Sequence, residues 1–467
     1  MVGIRDFFAR RSAPAPRFHH SGLDYPLDLA KLGFAFIGRP RSSKTTQIVI
    51  LIYSALPTMK GAFVFDFKNG EYWDALTRFV PPELLTRIDP FNRSSRRWEI
   101  CLDIRSVEDA EAIGVHLAPV RPDEREPFFS ETAGAYFIGG LVALHLSRPG
   151  NFDLLDLATP LSSFDSMLSL LRKAPEHNRG RIEQLKRARK MNRDVAETLL
   201  NRVSDLITVA RRWREFGPGV SLVDVVRNGG FVVNGHSHKF EHATAAITRA
   251  MVSRLTQLLL DEPNNDTPRW WIVLDELQSV GGAGKGMSQT LANLLSKGPG
   301  KGVVPVLGFQ SISTLREVFG PEAAASLNSY AGFKTFCAVN DPETAEWASS
   351  HFGDVEEVIV LQSESSGGEG GKVSRTRSEH IRETRVVKPI QFMNIPPLAP
   401  PAVNELGCYV VSPLFGRYYY DGITLELLQR VFPRGPWIAP PPELPPPPKQ
   451  LPEPRVVDDD GDLPYIE

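Results

Sequence analysis

The stretch GFAFIGRPRSSKTTQIVILIYSAL (residues 33–56) determines the predicted fold. It starts as a short apolar run, continues through a turn-rich loop and ends with apolar residues at helical spacing, which predicts strand, loop and helix. Gly38, Lys44 and Thr45 occupy fixed positions of the phosphate-binding pattern G-x-x-x-x-G-K-S/T. Ser43 stands where that pattern has its second glycine. Taken alone, the loop fits an ordinary strand-to-helix turn equally well.

Phosphate chemistry explains why these residue types occur at this spacing. Gly38 allows a tight turn, Lys44 neutralises phosphate charge and Thr45 is a ligand for Mg²⁺, while backbone N–H groups hold the phosphates. Ser43 introduces a side chain at a crowded position, at a cost of roughly 1–3 kcal/mol. We therefore predict a site for ATP and Mg²⁺. Its nucleotide-binding residues are Gly38, Arg39, Pro40, Arg41, Ser42, Ser43, Lys44, Thr45 and Thr46.

Further apolar runs alternate with helical patterns along the chain. Continuous apolar strands separated by helices indicate an α/β fold, in which helices cover both faces of a parallel sheet. The predicted strands are 33–38, 61–67, 229–235, 269–276, 302–310, 333–339 and 407–412, and the intervening helices lie near 241–260, 286–297, 311–329 and 342–351.

Strand patterns disappear between residues 106 and 220, which predicts an inserted all-α domain. The Gly/Ser-rich stretch 363–376 is typical of a flexible loop. Twelve prolines and a DDDGD run after residue 432 predict an extended, disordered tail. The predicted division is an N-terminal extension (1–32), a nucleotide-binding domain in two parts (33–105 and 221–432), the all-α insert (106–220) and the Pro-rich acidic tail (433–467).

The segment RWWIVLDE (269–276) ends a predicted buried strand with two acids. Ligands of open α/β sheets bind at the carboxyl ends of strands, so Asp275 is predicted to bind Mg²⁺ and Glu276 to act as the general base. Gln310 ends another strand and is predicted to contact the γ-phosphate or the attacking water. For the acids the alternative is a solvated turn or a helix cap, and for Gln310 it is a cap of the next helix.

The charge balance excludes a bulk polycation. The 467 residues include 53 Lys and Arg against 55 Asp and Glu, so any affinity for nucleic acid must come from a local patch. Residues 172–214 contain 13 Lys and Arg and 5 acids, which suits sequence-independent DNA binding. A solvated helix face is the alternative. The predicted DNA contacts are Arg179, Arg181, Lys186, Arg187, Arg189, Lys190 and Arg193.

The cysteines, the histidines and the apolar runs mainly exclude particular kinds of site. Three scattered cysteines exclude a disulfide framework and a cysteine zinc site, and they suggest a reducing compartment. No apolar run reaches the 18 residues of a spanning helix and no signal peptide is apparent, so a cytoplasmic protein is expected. The histidines of HSHKFEH (236–242) lack the spacing of a metal site. The pair Trp270–Trp271 is expected to pack on opposite faces of its strand.

The order of these blocks resembles the type IV secretion coupling proteins of the TraD/TraG class, within the FtsK/HerA-like, RecA-type ATPases. The resemblance spans roughly residues 33–425. DFKNGE (66–71) resembles a D-P-K-G-E element of that family, and FFSETAGAYFIGGLVALHL (128–146) resembles the first helix of its inserted domain. LDELQSVGG (274–282), the strand ending at Gln310 and NDPETAEWASSHFG (340–353) follow in the expected order.

The resemblance implies a RecA-like hexameric ring that couples ATP hydrolysis to DNA movement in conjugation or type IV secretion. It implies single-stranded DNA, a relaxase or secretion components as partners, and a location in the cytoplasm or peripheral to the inner membrane. An arginine from a neighbouring subunit is expected to meet the γ-phosphate, with Arg39, Arg41 and Arg316 as candidates. The alternatives are a soluble DNA-packaging ATPase and a non-hydrolysing DNA-binding scaffold.

This sequence departs from the family pattern at three places. Ser43 replaces a glycine of the loop, and Pro299 stands where the family commonly has an arginine. The family's N-terminal membrane helices are not expected, because the ATPase motif begins almost at once.

Overall fold

The computed structural model describes residues 16–68, 70–117, 127–191, 193–281, 285–366, 373–396, 405–424 and 449–450. Side chains are described in these ranges except for 127–133, 188–202, 285, 361–366, 373–376 and 449–450. The strands are β1 (Arg17–His20), β2 (Leu23–Pro26), β3 (Phe34–Ile37), β4 (Gly61–Asp66), β5 (Leu85–Ile88), β6 (Gly230–Gly235), β7 (Trp270–Leu274), β8 (Val303–Phe309), β9 (Phe333–Phe336), β10 (Asp354–Ser366), β11 (Val373–Arg385), β12 (Glu405–Ser412), β13 (Gly416–Thr424) and β14 (Lys449–Gln450).

Helices occupy most of the remaining described chain. They are α1 (Lys44–Ala55), α2 (Glu71–Leu76), α3 (Ile100–Asp103), α4 (Val107–Leu117), α5 (Pro127–Ser147), α6 (Leu154–Leu161), α7 (Phe164–Leu171), α8 (Pro175–Met191), α9 (Arg193–Arg214), α10 (Leu222–Asn228), α11 (Glu241–Asp261), α12 (Leu277–Val280), α13 (Lys285–Lys297), α14 (Ile312–Phe319), α15 (Pro321–Ser329), α16 (Pro342–Ser350) and α17 (Pro389–Met393). Short 3-10 turns cover Leu27–Leu32, Leu56–Thr58, Pro82–Leu84, His238–Phe240 and Gly298–Lys301. None of the helices in the described ranges is long and apolar enough to cross a membrane.

In the described residues, one large sheet has the order β14-β13-β12-β9-β3-β8-β7-β4-β6-β5. From β9 to β5 all neighbouring strands are parallel, and β12, β13 and β14 add antiparallel pairs at one edge. The strands β3, β4, β7 and β8 are buried along their whole length, as continuous apolar runs require in a doubly covered sheet. The predicted α/β class with a parallel sheet is confirmed.

Each face of the sheet has its own hydrophobic core. Trp270 belongs to the larger core, which joins the sheet to the all-helical region, whereas Trp271 belongs to the core on the other face with α1. Side chains of successive strand residues point to opposite faces, so the tryptophan pair is divided between the two cores. The expected packing of this pair is confirmed.

The described chain between β5 and β6 contains helices α3 to α10. Its two ends meet at Asp103, which is fully buried and accepts hydrogen bonds from Ser221 Oγ at 2.6 Å and from the backbone N–H of Leu222 and Val223 at 3.0 Å. The Arg254 guanidinium on α11 is bonded to Asp109 on α4, with Nη2 2.9 Å from Oδ2. The helical region therefore leaves and rejoins the sheet at one place and is held against α11.

Three regions differ from their sequence interpretation. The supposed flexible loop at 363–376 overlaps β10 and β11, which pair over 13 residues each; its residues 367–372 lie outside the described ones. Residues 311–329 form two helices instead of one, because Gly320 with φ of 84° ends α14. Within the tail predicted to be disordered, Lys449–Gln450 pair with β13, and the other tail residues lie outside the described chain.

Candidate nucleotide-binding site

The predicted phosphate loop lies between β3 and α1, at the carboxyl edge of the parallel sheet. The backbone N–H of Gly38 donates to Phe309 O at 3.1 Å, and that of Arg39 donates to Ala338 O at 2.8 Å. A Cβ atom on Gly38 would lie 2.5 Å from Ser42 Oγ and 2.7 Å from Cys337 Cβ. The glycine is therefore required by close packing against the loop itself and the strand beside it.

Ser43 adopts the conformation for which the family pattern uses glycine. Its φ of 74° and ψ of 2° lie in the left-handed region, directly before α1 begins at Lys44. Arg41 also has a positive φ of 63°. For residues with a Cβ this conformation costs roughly 1–2 kcal/mol each. The loop thus stores backbone strain of the kind found at functional sites.

Lys44 is held between the two acids that follow β7. Its Nζ lies 3.1 Å from Asp275 Oδ1 and 3.1 Å from Glu276 Oε1, and the three side chains are 4%, 3% and 1% exposed. Glu276 has a φ of 61°, which turns the chain so that both acids face the phosphate loop. The predicted residue Lys44 is brought to Asp275 and Glu276, although it lies more than 200 positions before them in sequence.

The buried charges in this group stabilise each other. Burial acts to raise the pKa of Asp275, but the ammonium groups of Lys44 and Lys68 outweigh it and hold the pKa below its usual value. Burial acts to lower the pKa of Lys44, and the two carboxylates reverse this and raise it. Asp275 is therefore a carboxylate and Lys44 an ammonium throughout the neutral range.

The predicted Mg²⁺ ligands are adjacent and fit a hard cation. Thr45 Oγ1 donates to Asp275 Oδ2 at 3.1 Å. Hydroxyl and carboxylate oxygens suit Mg²⁺, which usually takes one or two protein ligands and completes its shell with phosphate and water. Among the described residues, no group of three or more His, Cys, Asp or Glu side chains is placed to hold a metal ion.

Gln310 reaches the same group from the end of β8. Its Nε2 donates to Glu276 Oε2 at 2.9 Å, and Gln278 also bonds this oxygen. A Cβ on Gly308 would lie 2.3 Å from Asp275 Oδ1, so a glycine two residues before Gln310 makes room for the acid. Gln310 contacts Glu276, and the alternative cap role falls to Ser311, whose Oγ accepts the Thr314 N–H at 3.1 Å.

Sequence reasoning missed two contributors from the segment after β4. Lys68 Nζ donates to Thr45 Oγ1 at 3.3 Å, and Tyr72 OH donates to Asp275 Oδ2 at 3.0 Å. Asp66 ends β4, and burial raises its pKa to about 6. The signal was present, since polar residues directly after a buried parallel strand point to the carboxyl edge. The resemblance of DFKNGE to a family element assigns no role to its residues.

Two of the candidate arginines for action between subunits, Arg39 and Arg41, lie in the loop, and Arg316 lies on α14. Arg39 donates to Asn340 Oδ1 at 2.8 Å, and Arg316 is bonded to Glu343. Arg41 is exposed. Pro299 lies at the amino end of β8, at the opposite edge of the sheet from the phosphate loop. Its departure from the family pattern therefore does not affect the contacts of Lys44.

The predicted DNA-contacting residues are on α8 and at the start of α9. Arg179, Lys186 and Arg187 are exposed and recur at i, i+7 and i+8, which places them on one helix face. Arg181 turns back to the His177 carbonyl at 3.1 Å. The side chains of Arg189, Lys190 and Arg193 lie outside the described ones. Arg214, counted in the same basic segment, is bonded to Asp153 at 2.7 Å and has a structural partner.

The histidine segment contains no metal centre among its described side chains. His236 is buried, stacks on Phe67 and has Nδ1 3.2 Å from Thr244 Oγ1. Burial lowers the pKa of His236 to about 4, so its ring is neutral. His238 packs edge-on against His236 with ring centroids 5.4 Å apart. These residues pack as aromatic groups.

Comparisons with known proteins agree with this geometry. The family described as the type IV secretion-system coupling protein DNA-binding domain matches residues 17–411. The conjugal transfer protein TraG of Agrobacterium fabrum is 24% identical over 180 residues, which are 38% of this chain and 26% of that protein. A probable conjugal transfer protein TraG of Sinorhizobium fredii is 26% identical over 152 residues, 32% of this chain and 23% of that protein. The chain thus spans about a quarter of these relatives' length.

Solved structures of the plasmid coupling protein TrwB share the fold. An unbound form gives a TM-score of 0.67 at 20% identity and covers 89% of both chains. A complex with ADP and Mg²⁺ gives 0.66 at 19% identity, again with 89% of both chains covered. A complex with a non-hydrolysable ATP analogue gives 0.66 at 19% identity and covers 91% of this chain and 93% of that one. The predicted RecA-like fold is confirmed.

The family match extends over most of the chain, from β1 to β12, and contains both the phosphate loop and the acid pair. The sequence resemblance is confirmed at the level of the family. The chain belongs to the type IV secretion-system coupling protein family.

Proposed function

We propose that this protein is an ATPase that recruits or moves DNA in conjugative or type IV secretion-like transfer. The observation that carries the proposal is the buried group in which Lys44 contacts both Asp275 and Glu276, with Gln310 bonded to the second carboxylate oxygen of Glu276. A scaffold that does not hydrolyse ATP does not require two acids and a lysine to be buried together at the carboxyl edge of the sheet. Burying charged groups costs free energy unless they pair with one another or bind a ligand.

Each residue has a proposed task. Backbone N–H groups of residues 38–46 and Lys44 hold the phosphates, while Thr45 and Asp275 hold Mg²⁺. When bound, Mg²⁺ neutralises charge on the phosphate oxygens. Glu276 accepts a proton from the attacking water, and Gln310 positions Glu276 through the 2.9 Å bond between Nε2 and Oε2. Lys68 lies close enough to Thr45 to supply further positive charge at the phosphates.

The proposed DNA surface is the exposed face of α8. Arg179, Lys186 and Arg187 share that face, and Asn178 on the opposite side is fully buried and donates to Gly139 O at 3.1 Å. This bond fixes α8 on α5, so the basic face has a defined orientation. Its partner is single-stranded DNA bound without sequence preference, because exposed cations contact phosphates and not bases. One acid shares this face, Glu183, which is bonded to Lys186 at 2.7 Å. The assembly is a homo-hexameric ring that works with a relaxase or secretion components.

The test is steady-state ATP hydrolysis with and without single-stranded DNA, for the parent protein and Glu276→Gln. We expect the variant to bind ATP with unchanged affinity and to lose at least 100-fold in kcat, because it keeps its hydrogen bonds but has no base. Glu322→Gln, an exposed acid on α15, is the matched control and should turn over like the parent.

Two results would contradict the proposal. If the parent binds ATP but shows no turnover with or without DNA, the non-hydrolysing scaffold is correct. If Glu276→Gln turns over as fast as the Glu322→Gln control, Glu276 is not the base.

A further inference from the structure

The ribbon formed by β10 and β11 is not part of the large sheet. The two strands pair antiparallel without a bulge from Asp354 with Arg385 to Ser366 with Val373, and they form a separate two-stranded sheet. Thirteen residues per strand at about 3.4 Å each make a ribbon about 40 Å long. A two-stranded ribbon is marginally stable alone in water, so one of this length calls for a partner.

The base of the ribbon is fixed to the body of the protein. Arg385 donates to Glu346 on α16 at 3.0 Å and to Asp354 at 3.1 Å. The backbone N–H of Val386 donates to Gly353 O at 3.1 Å and closes the two ends against each other. The ribbon therefore projects from a firm attachment.

The described side chains of the ribbon are largely exposed, including apolar ones. Val358 and Ile381 are directly opposite each other and Val360 follows on the same face; they are 48%, 70% and 40% exposed. Beyond the β10–β11 pairing, neither strand is paired with any other strand in the described chain, so each presents a free edge. Long edges with exposed β-branched residues invite pairing with another strand.

The charges of the two strands identify the partner. β10 contains four acids and no Lys or Arg, namely Asp354, Glu356, Glu357 and Glu364. β11 contains four arginines and two acids, namely Arg375, Arg377, Arg382, Arg385, Glu379 and Glu383. The ribbon as a whole is net negative, which disfavours a nucleic acid as its partner. Pairing of two like edges is also unfavourable, since β10 would face β10.

We propose that the β10 edge of one copy pairs with the β11 edge of the next copy, so that the ribbons form an inter-subunit sheet. The acidic strand then faces the basic strand at every contact. Such a head-to-tail interface uses two different surfaces of one chain and closes into a ring when the rotation allows it. Because β10 and β11 run in opposite directions, copies related by rotation about an axis along the ribbon pair antiparallel throughout. This inference rests on the proposed ring and adds the element that joins its subunits.

The first test removes the ribbon from the full chain. Residues 354–385 are replaced by a short glycine linker, which the Gly353–Val386 contact allows. Sedimentation velocity with an ATP analogue and Mg²⁺ should show that self-association needs at least tenfold more protein than in the parent. Binding of the ATP analogue should stay unchanged, which separates this result from a failure of the nucleotide site.

The second test reverses charge on one edge at a time and keeps the backbone intact. Glu356→Lys changes the net charge of β10 from −4 to −2, and Arg377→Glu changes that of β11 from +2 to 0, so each should weaken self-association. In the ribbon's register Glu356 is opposite Glu383 and Arg377 is opposite Gln362, so the two sites do not pair within one chain. Glu322→Lys on α15 is the control for a charge change elsewhere.

Three outcomes would overturn the proposal. The first is a parent that stays monomeric at all concentrations, and the second is an excised variant that assembles as tightly as the parent. The third is that Glu356→Lys and Arg377→Glu both associate as tightly as the Glu322→Lys control. If excision lowers DNA affinity and leaves assembly unchanged, the partner is DNA and the proposal is wrong. If the excised variant fails to fold, the reversal pair decides.

Discussion

Lys44 and Arg187 both offer a positive charge suited to phosphate, but their surroundings are opposite. Lys44 is 4% exposed and is placed between two buried carboxylates. Arg187 lies on the exposed face of α8. A buried charge takes its energy from a few fixed partners in a medium of low dielectric, whereas an exposed charge interacts weakly and is screened by salt. A single substitution at Lys44 should therefore have a large effect, whereas several substitutions on α8 should be needed for a measurable one.

The largest effect is expected from Lys44→Ala. It leaves Asp275 and Glu276 buried without their cation, which should lower the free energy of unfolding by about 3 kcal/mol and abolish ATP binding. Lys68→Ala, at a lysine 31% exposed in the same site, should cost less than about 1 kcal/mol. Denaturant unfolding and nucleotide titration measure both. If the two alanine variants unfold alike, burial does not set the strength of these charges.

The Lys44→Ala variant should also change the sign with which the free energy of unfolding depends on pH. In the parent, the lowered pKa of Asp275 provides stability that is present above the ordinary carboxyl pKa and is lost as the pH falls through the lowered value. Without Lys44, burial dominates and raises that pKa, so the variant should lose stability as the pH rises through it. Unfolding curves between pH 3 and 7 would show the difference.

An intermediate effect is expected from neutralising the exposed face of α8. The triple change of Arg179, Lys186 and Arg187 to Gln should weaken binding of single-stranded DNA about tenfold. It should also reduce the slope of log affinity against log salt by up to about 2. Stability should change by less than about 0.5 kcal/mol, because these side chains are exposed. If the salt slope is unchanged, the basic face of α8 is a solvated helix face and does not bind DNA.

The smallest effect concerns the strain in the phosphate loop. Ser43→Gly should raise the free energy of unfolding by about 0.5–1 kcal/mol, since glycine adopts the φ of 74° without a Cβ clash and loses part of that gain to chain entropy. ATP affinity should increase slightly. Ser42→Gly in the same loop is the control and should destabilise. A loss of stability in Ser43→Gly would mean that the hydroxyl contributes more than the strain costs.

Much of the sheet and the site could be predicted from the sequence. β3, β4, β6, β7 and β8 are mostly apolar runs, and GRPRSSKT directly follows one of them, which is the context that a phosphate-binding loop requires. Lys44, Asp275, Glu276 and Gln310 lie together in the structure because parallel strands deliver their carboxyl ends to one edge. The β10–β11 ribbon was missed because its sequence is polar and Gly/Ser-rich, and its pairing depends on a register that no local pattern reveals.

The sequence by itself determined the parallel sheet and predicted the phosphate loop and the two acids, because apolar periodicity and residue spacing are local properties. Only the tertiary structure decided which residues contact one another and which remain exposed. It placed Lys44 between Asp275 and Glu276, brought Lys68 and Tyr72 to the same site and put Ser43 in the left-handed conformation. It also engaged Arg214 in an ion pair and left Arg187 exposed. The physical reason is that burial and partners change the energy of a charge by several kcal/mol, and neither can be read from the chain before it folds.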